Sequence, residues 1–182
     1  MTHPSPTEML EEEHRVIQKV VGAMAAVAEA LEDDGDVEAD TLREITAFMR
    51  TFADQCHHGK EETHLFPVLE RKGVPARGCP LGALIHEHQN GRALVAALAQ
   101  AEAAYTSGDR SAKDRLASSL RGLIALYPGH IWKEDYLLFP MSNKVLSAED
   151  QQNLSMEFEK VEETVGRDVH RRLEQLSEQL GE

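Results

Sequence analysis

His57-His58-Gly59-Lys60-Glu61-Glu62-Thr63-His64-Leu65-Phe66-Pro67 and His130-Ile131-Trp132-Lys133-Glu134-Asp135-Tyr136-Leu137-Leu138-Phe139-Pro140 are one pattern written twice. Both read H-x-x-x-E, then a second acid, then Leu-Phe-Pro, at an offset of 73 residues. Upstream, Glu13-His14 recurs as Glu87-His88 at an offset of 74, so first and second histidines are 43 residues apart in one half and 42 in the other. Each half therefore reads as a helical hairpin with E-H on its first helix and H-x-x-x-E on its second. His57 and His58 each have a glutamate four residues on. Alignment with His130 and Glu134 selects His57 and Glu61.

The surrounding periodicity is helical throughout, with no β alternation. Ser5-Pro6-Thr7-Glu8 has the form of a capping box with proline at the first helical position. From it runs a core stripe at spacings of four and three: Leu10, His14, Ile17, Val21, Met24, Ala28, Leu31. Asp33–Asp36 breaks the pattern, and a second helix is expected over residues 38–71, followed by a Gly- and Pro-rich loop from Gly73 to Pro80. The third stripe (Leu81, Leu84, His88, Gly91, Val95, Leu98) and the fourth (Leu116, Leu120, Leu123, Tyr127, His130, Glu134, Leu137, Met141) again place histidines in apolar slots. Ser147-Ala148-Glu149-Asp150 caps a fifth, amphipathic helix. Short loops between long helices predict an all-α, up-down-up-down four-helix bundle over residues 1–145, with an additional C-terminal helix over 146–182 belonging to the same domain. Pro128-Gly129 predicts a kink or irregular turn in helix four.

Composition narrows the function. Among 182 residues, 32 acids against 19 bases give a net charge of −13, which argues against nucleic acid as a partner. No apolar run approaches a membrane span, the N-terminus lacks a signal pattern, and Cys56 and Cys79 cannot build a disulfide framework, so a reducing cytoplasm is expected.

In an H-x-x-x-E pair both side chains leave one helical face about 5–6 Å apart, within reach of one metal centre. In an antiparallel bundle, His14 and His88 fall near the same end as the two H-x-x-x-E pairs, so His14, His57, Glu61, His88, His130 and Glu134 are expected to converge as metal ligands. Burying four imidazoles and two carboxylates unpaired would be costly, and a metal removes that cost. Imidazole with carboxylate and no thiolate suits iron, with manganese or zinc as weaker choices. Two carboxylates from opposite helices can bridge two ions. With a bridging oxo or hydroxo group, four nitrogens and two bridging carboxylates leave about one open position per metal for O₂, NO or peroxide. Tyr127, one turn before His130, is the candidate proton donor, against a plain packing role. His58, His64 and His86 are read as outside the ligand face, although His64, seven residues after His57, is near enough to approach the site. His3 and His170 are read as solvated, and Cys56 as an inert thiol.

These elements resemble the hemerythrin-like family of HHE cation-binding domains over roughly residues 8–141. The matching residues are Glu13-His14, His57 through Pro67, Glu87-His88-x-x-Gly91-Arg92 and His130 through Pro140. The resemblance implies a non-haem di-iron centre in a four-helix bundle, with functions in dioxygen carriage, O₂ or NO sensing, iron handling or peroxide chemistry. Oxygen carriers of the family have five histidines, including an H-x-x-x-H pair on the third helix. Here Leu84 and Arg92 flank His88 at that spacing, which departs from the carrier pattern. Three functions stay open: a small-ligand binder or sensor, an enzyme acting on peroxide or NO, and an iron store or donor. With no output domain in the sequence, a sensor would act through a separate partner. The C-terminal helix caps the bundle, forms a homodimer or meets that partner.

Overall fold

Ser5 begins the first helix as its sequence demands. Its hydroxyl accepts from the Glu8 amide at 3.3 Å, while the Ser5 amide donates back to the Glu8 carboxylate at 2.7 Å. The computed structural model describes residues 4–180. Among them are six helices and no strand: α1 (Pro6–Glu32), α2 (residues 39–71), α3 (Leu81–Thr106), α4 (residues 112–145), α5 (Ala148–Val165) and α6 (Arg167–Leu180). The first four form the expected bundle. His3 lies outside the described residues.

Two helices are not uniformly α. α2 widens into π turns at Met49–His58 and Glu61–Leu65 before resuming at Phe66–Arg71, and α4 does the same at Glu134–Leu138 before Phe139–Val145. Hydrogen bonds to the fifth residue back mark these turns: Gly59 to Asp54, Phe66 to Glu61 and Phe139 to Glu134. Pro67 and Pro140 stand just inside the renewed α segments, where a missing amide hydrogen matters least.

Apolar residues sort into two clusters along the bundle. One holds Ile17, Met24, Phe52, Leu98 and Leu123; the other holds Leu10, Phe66, Leu84, Leu138 and Phe139. On α1 the chain passes from Leu10 in one cluster to Ile17 in the other, with His14 between. On α3 it passes from Leu84 to Val95 across His88. The histidines thus occupy a polar layer between two dry ones.

Two expectations are corrected here. Pro128 lies inside the helical run Ala112–Lys133, and the irregular turn falls later, at Glu134. The buried side chains of Leu123, Tyr127 and His130 hold the backbone on both sides of the proline, so packing outweighs one lost donor. The C-terminal segment is two helices rather than one. Gly166, at φ +98°, ends α5 in a conformation that glycine alone adopts easily. Ser147 and Asp150 cap α5 as predicted. Leu154 and Phe158 of α5 join the second apolar cluster, and Leu173 of α6 joins the first.

Candidate metal centre

The six residues selected by the repeat come together. His14, His57, Glu61 and Glu134 form one group whose potential ligand atoms all lie within 4.8 Å of each other, and His88 and His130 belong to a second such group with His58. All seven are buried, at 3% exposure or less. The two carboxylates stand between the groups. Glu134 turns Oε2 toward His14 Nε2 at 3.0 Å and Oε1 toward His130 Nε2 at 3.3 Å and His88 Nε2 at 3.6 Å. Glu61 Oε2 lies 3.4 Å from His88 Nε2 and 3.8 Å from His57 Nε2.

The repeat extends to the supports of each imidazole. His14 Nδ1 meets the carboxylate of Asp135 at 2.6 Å, and its mate His88 meets Glu62 at the same distance. His57 Nδ1 meets Glu13 at 3.0 Å, and its mate His130 meets Glu87 at 3.1 Å. Lys60 and Lys133 each bind the supporting glutamate of their half at 2.5 Å. Phe139 stacks on His14 and Phe66 on His88, at centroid distances of 5.5 and 5.9 Å. A ring whose Nδ1 hydrogen donates to a carboxylate presents Nε2 as a lone pair, which is how metal-ligating histidines are oriented. Every supporting acid was therefore present in the repeated motifs beside a ligand candidate. Sequence reasoning used the motifs and passed over these acids.

His58 corrects the reading of its position as outside the ligand face. It is 3% exposed and stacks on His88 at 3.8 Å, and its Nδ1 approaches Asp54 at 3.3 Å. The π turn through Met49–His58 advances less per residue than an α-helix, so His57 and His58 both face inward. In the second half of the repeat its counterpart is Ile131, which is why alignment could not find it. His170 is also corrected: its side chain is 13% exposed and its Nε2 lies 3.5 Å from Glu13. His86 is exposed, as expected, and His64 packs edge-on against Phe158 at 6.5 Å. Cys56 is fully buried with its thiol pushed up to about 12 by burial, which leaves it inert. Tyr127 is buried, 6.5 Å from the His58 ring and 6.0 Å from His130, and burial keeps its phenol protonated. A cavity of about 250 Å³, lined by Asp54, Gly91, Arg92, His58 and Tyr127 among others, opens beside them.

The buried carboxylates and imidazoles shift one another strongly. Burial and the neighbouring Glu134 push Glu61 well above the usual carboxylate range. Glu134 is held well below it, against burial, by His130, His14 and His88. Burial depresses His57 to about 4 and carries His58 well below its ordinary value, while Asp135 and Glu134 outweigh burial and raise His14 to about 9. Both oxygens of Glu61 and of Glu134, and Nε2 of His58, His88 and His130, are buried without a hydrogen-bond partner among the described residues. Buried polar atoms are almost always paired, so seven orphans pointing into one layer fit a set of metal ligands.

The comparisons agree with this geometry. The model of the hemerythrin HHE cation binding domain matches residues 5–142, and the chain belongs to that family. Its histidine and glutamate groups are suited to hold metal. Uncharacterized proteins of Mycobacterium bovis and Mycobacterium tuberculosis are similar, at 30% identity over 165 residues, covering 91% of this chain and 61% of each relative. The chain thus spans about three-fifths of the length of these relatives. No solved structure matches it. Among the described residues no helix is long and apolar enough to cross a membrane.

Proposed function

We propose that the chain holds two iron ions and binds a small diatomic ligand, O₂ or NO, at that centre. The carrying observation is the pair of buried groups, His58–His88–His130 and His14–His57, with both glutamates between them and all four glutamate oxygens orphaned. One cation could not satisfy donors arranged on both sides of Glu61 and Glu134. Manganese or zinc would accept part of this donor set, but five imidazoles with two carboxylates suit iron best. When bound, paired iron supplies a redox-active centre able to accept an exogenous ligand.

The count of open positions follows from His58. Four imidazoles left about one position per ion, an arrangement suited to activating peroxide between them. His58 would add a fifth imidazole on the side of His88 and His130, so an exogenous ligand would find more room on the side of His14 and His57. That favours reversible capture of a diatomic over peroxide turnover. The chain's own residues do the rest. Asp135, Glu13, Glu62 and Glu87 fix the orientation of four imidazoles. Phe66 and Phe139 keep water from the layer. Tyr127, whose ring lies beside His58 and His130, stays protonated and packs against that side of the centre. Iron storage and peroxide decomposition are the competing readings.

The test is a difference spectrum of the reduced, iron-loaded protein with O₂ and with NO. The proposal expects a new absorption band that disappears under vacuum. Immediate, irreversible oxidation with rapid peroxide consumption would return the protein to the enzymatic reading, and release of iron on oxidation would favour a store.

A further inference from the structure

The repeat makes the two halves of the centre near-equivalent, and the C-terminal helices cover one of them. On one side Lys133 and Glu87, which support His130, are 29% and 21% exposed. On the other, Lys60 is 0% and Glu13 6% exposed, although they make the same bonds to each other and to His57. The difference comes from α5 and α6. Glu162 of α5 accepts from Lys60 Nζ at 2.7 Å, His170 of α6 reaches Glu13 Oε1 at 3.5 Å, and Phe158 lies under the ammonium at 5.8 Å. Glu162 and His170 flank the break at Gly166, so the end of α5 and the start of α6 deliver both groups to the same carboxylate–ammonium pair. The matched family domain ends at residue 142, and these residues lie beyond it.

We propose that the α5–α6 junction positions the ligand imidazole of His57. Glu162 and His170 clamp Lys60 and Glu13, and Glu13 in turn fixes His57. His130, whose support is open to solvent, has no such clamp. The two ion sites are therefore unequal: the His14–His57 side is rigid and slow to exchange, and the His130 side is loose. Glu162 and His170 are positioning residues, touching neither ion nor ligand. The statement about ions rests on the two-metal reading; the statement about His57 does not.

The experiment follows the Nδ1–H protons of His57 and His130 by NMR in the full chain, first without added metal and then with Zn(II). Solvent exchange at His57 is expected to be about tenfold slower than at His130. His170→Ala and Glu162→Gln are expected to erase that difference, and His170→Gln, whose amide still donates to Glu13, to restore it. In the iron-loaded chain the same two variants are expected to release one iron per chain to a chelator about tenfold faster, the low end of the effect of losing an outer partner of a metal ligand. Lys133→Ala should speed the other iron instead. Equal exchange at His57 and His130 in the unaltered protein, or exchange at His57 that ignores both variants, overturns the proposal. Altered exchange at His57 in a chain that binds no iron would uphold the clamp and sink the two-metal reading.

Discussion

Replacing His58 by isoleucine, the residue found at its counterpart position 131, should move the metal-free and metal-loaded proteins in opposite directions. Without metal, His58 leaves Nε2 buried and unpaired, at a cost of about 1–3 kcal/mol. An aliphatic side chain of similar size removes that cost. The change also loses the contact of Nδ1 with Asp54, which at 3.3 Å is long and contributes at most about 0.5–1 kcal/mol, and stacking on His88 at 3.8 Å, about 0.5–1 kcal/mol. The balance centres on a gain of about 0.5 kcal/mol, between about −1 and +2, or roughly 1–2 °C in Tm at its centre for a chain of this size. With metal, the variant loses a direct ligand. Loss of an outer partner alone weakens metal binding by about 10–100-fold, so the loaded protein should lose at least about 1.4–2.7 kcal/mol. Thermal unfolding of both forms, with metal analysis of the loaded one, measures this. A metal-free variant that melts lower, together with an iron content that stays at two per chain, would refute the assignment of His58.

Other perturbations test neighbouring parts of the account. Glu134→Ala should remove most of both irons, because its two oxygens face opposite groups, and metal analysis reads the loss. His86→Ala should leave iron content and Tm unchanged, since the side chain is exposed. Phe139→Ala should cost about 3–5 kcal/mol in denaturant unfolding, because the ring is fully buried and stacks on His14. Ser147→Ala, which removes the cap of α5, should cost about 1 kcal/mol by the same measurement.

The repeat carried most of what could be read from the residues. Hairpin lengths, capping boxes at Ser5 and Ser147, and the histidines in apolar slots follow from patterns at α-helical spacing, and six of the seven buried donors came with them. His58 escaped because the π turn through Met49–His58 changes the phase of the helix, and hydrophobic periodicity presumes a constant one. An aligned repeat also favours what the halves share, whereas His58 is where they differ. His170 escaped for a different reason: its partner Glu13 is distant in sequence, and no local pattern announces a contact between helices so far apart in the chain. The break at Gly166 was visible as a glycine inside a helical pattern, but the apolar stripe through Val161, Val165 and Leu173 runs across it and hid the break.

The most direct test of the central claim is anomalous diffraction at the iron edge from crystals of the iron-loaded protein. The account predicts two peaks, one bounded by His58, His88 and His130 and the other by His14 and His57, with Glu61 and Glu134 between them. A single peak, or two peaks with His58 turned away from both, would contradict it.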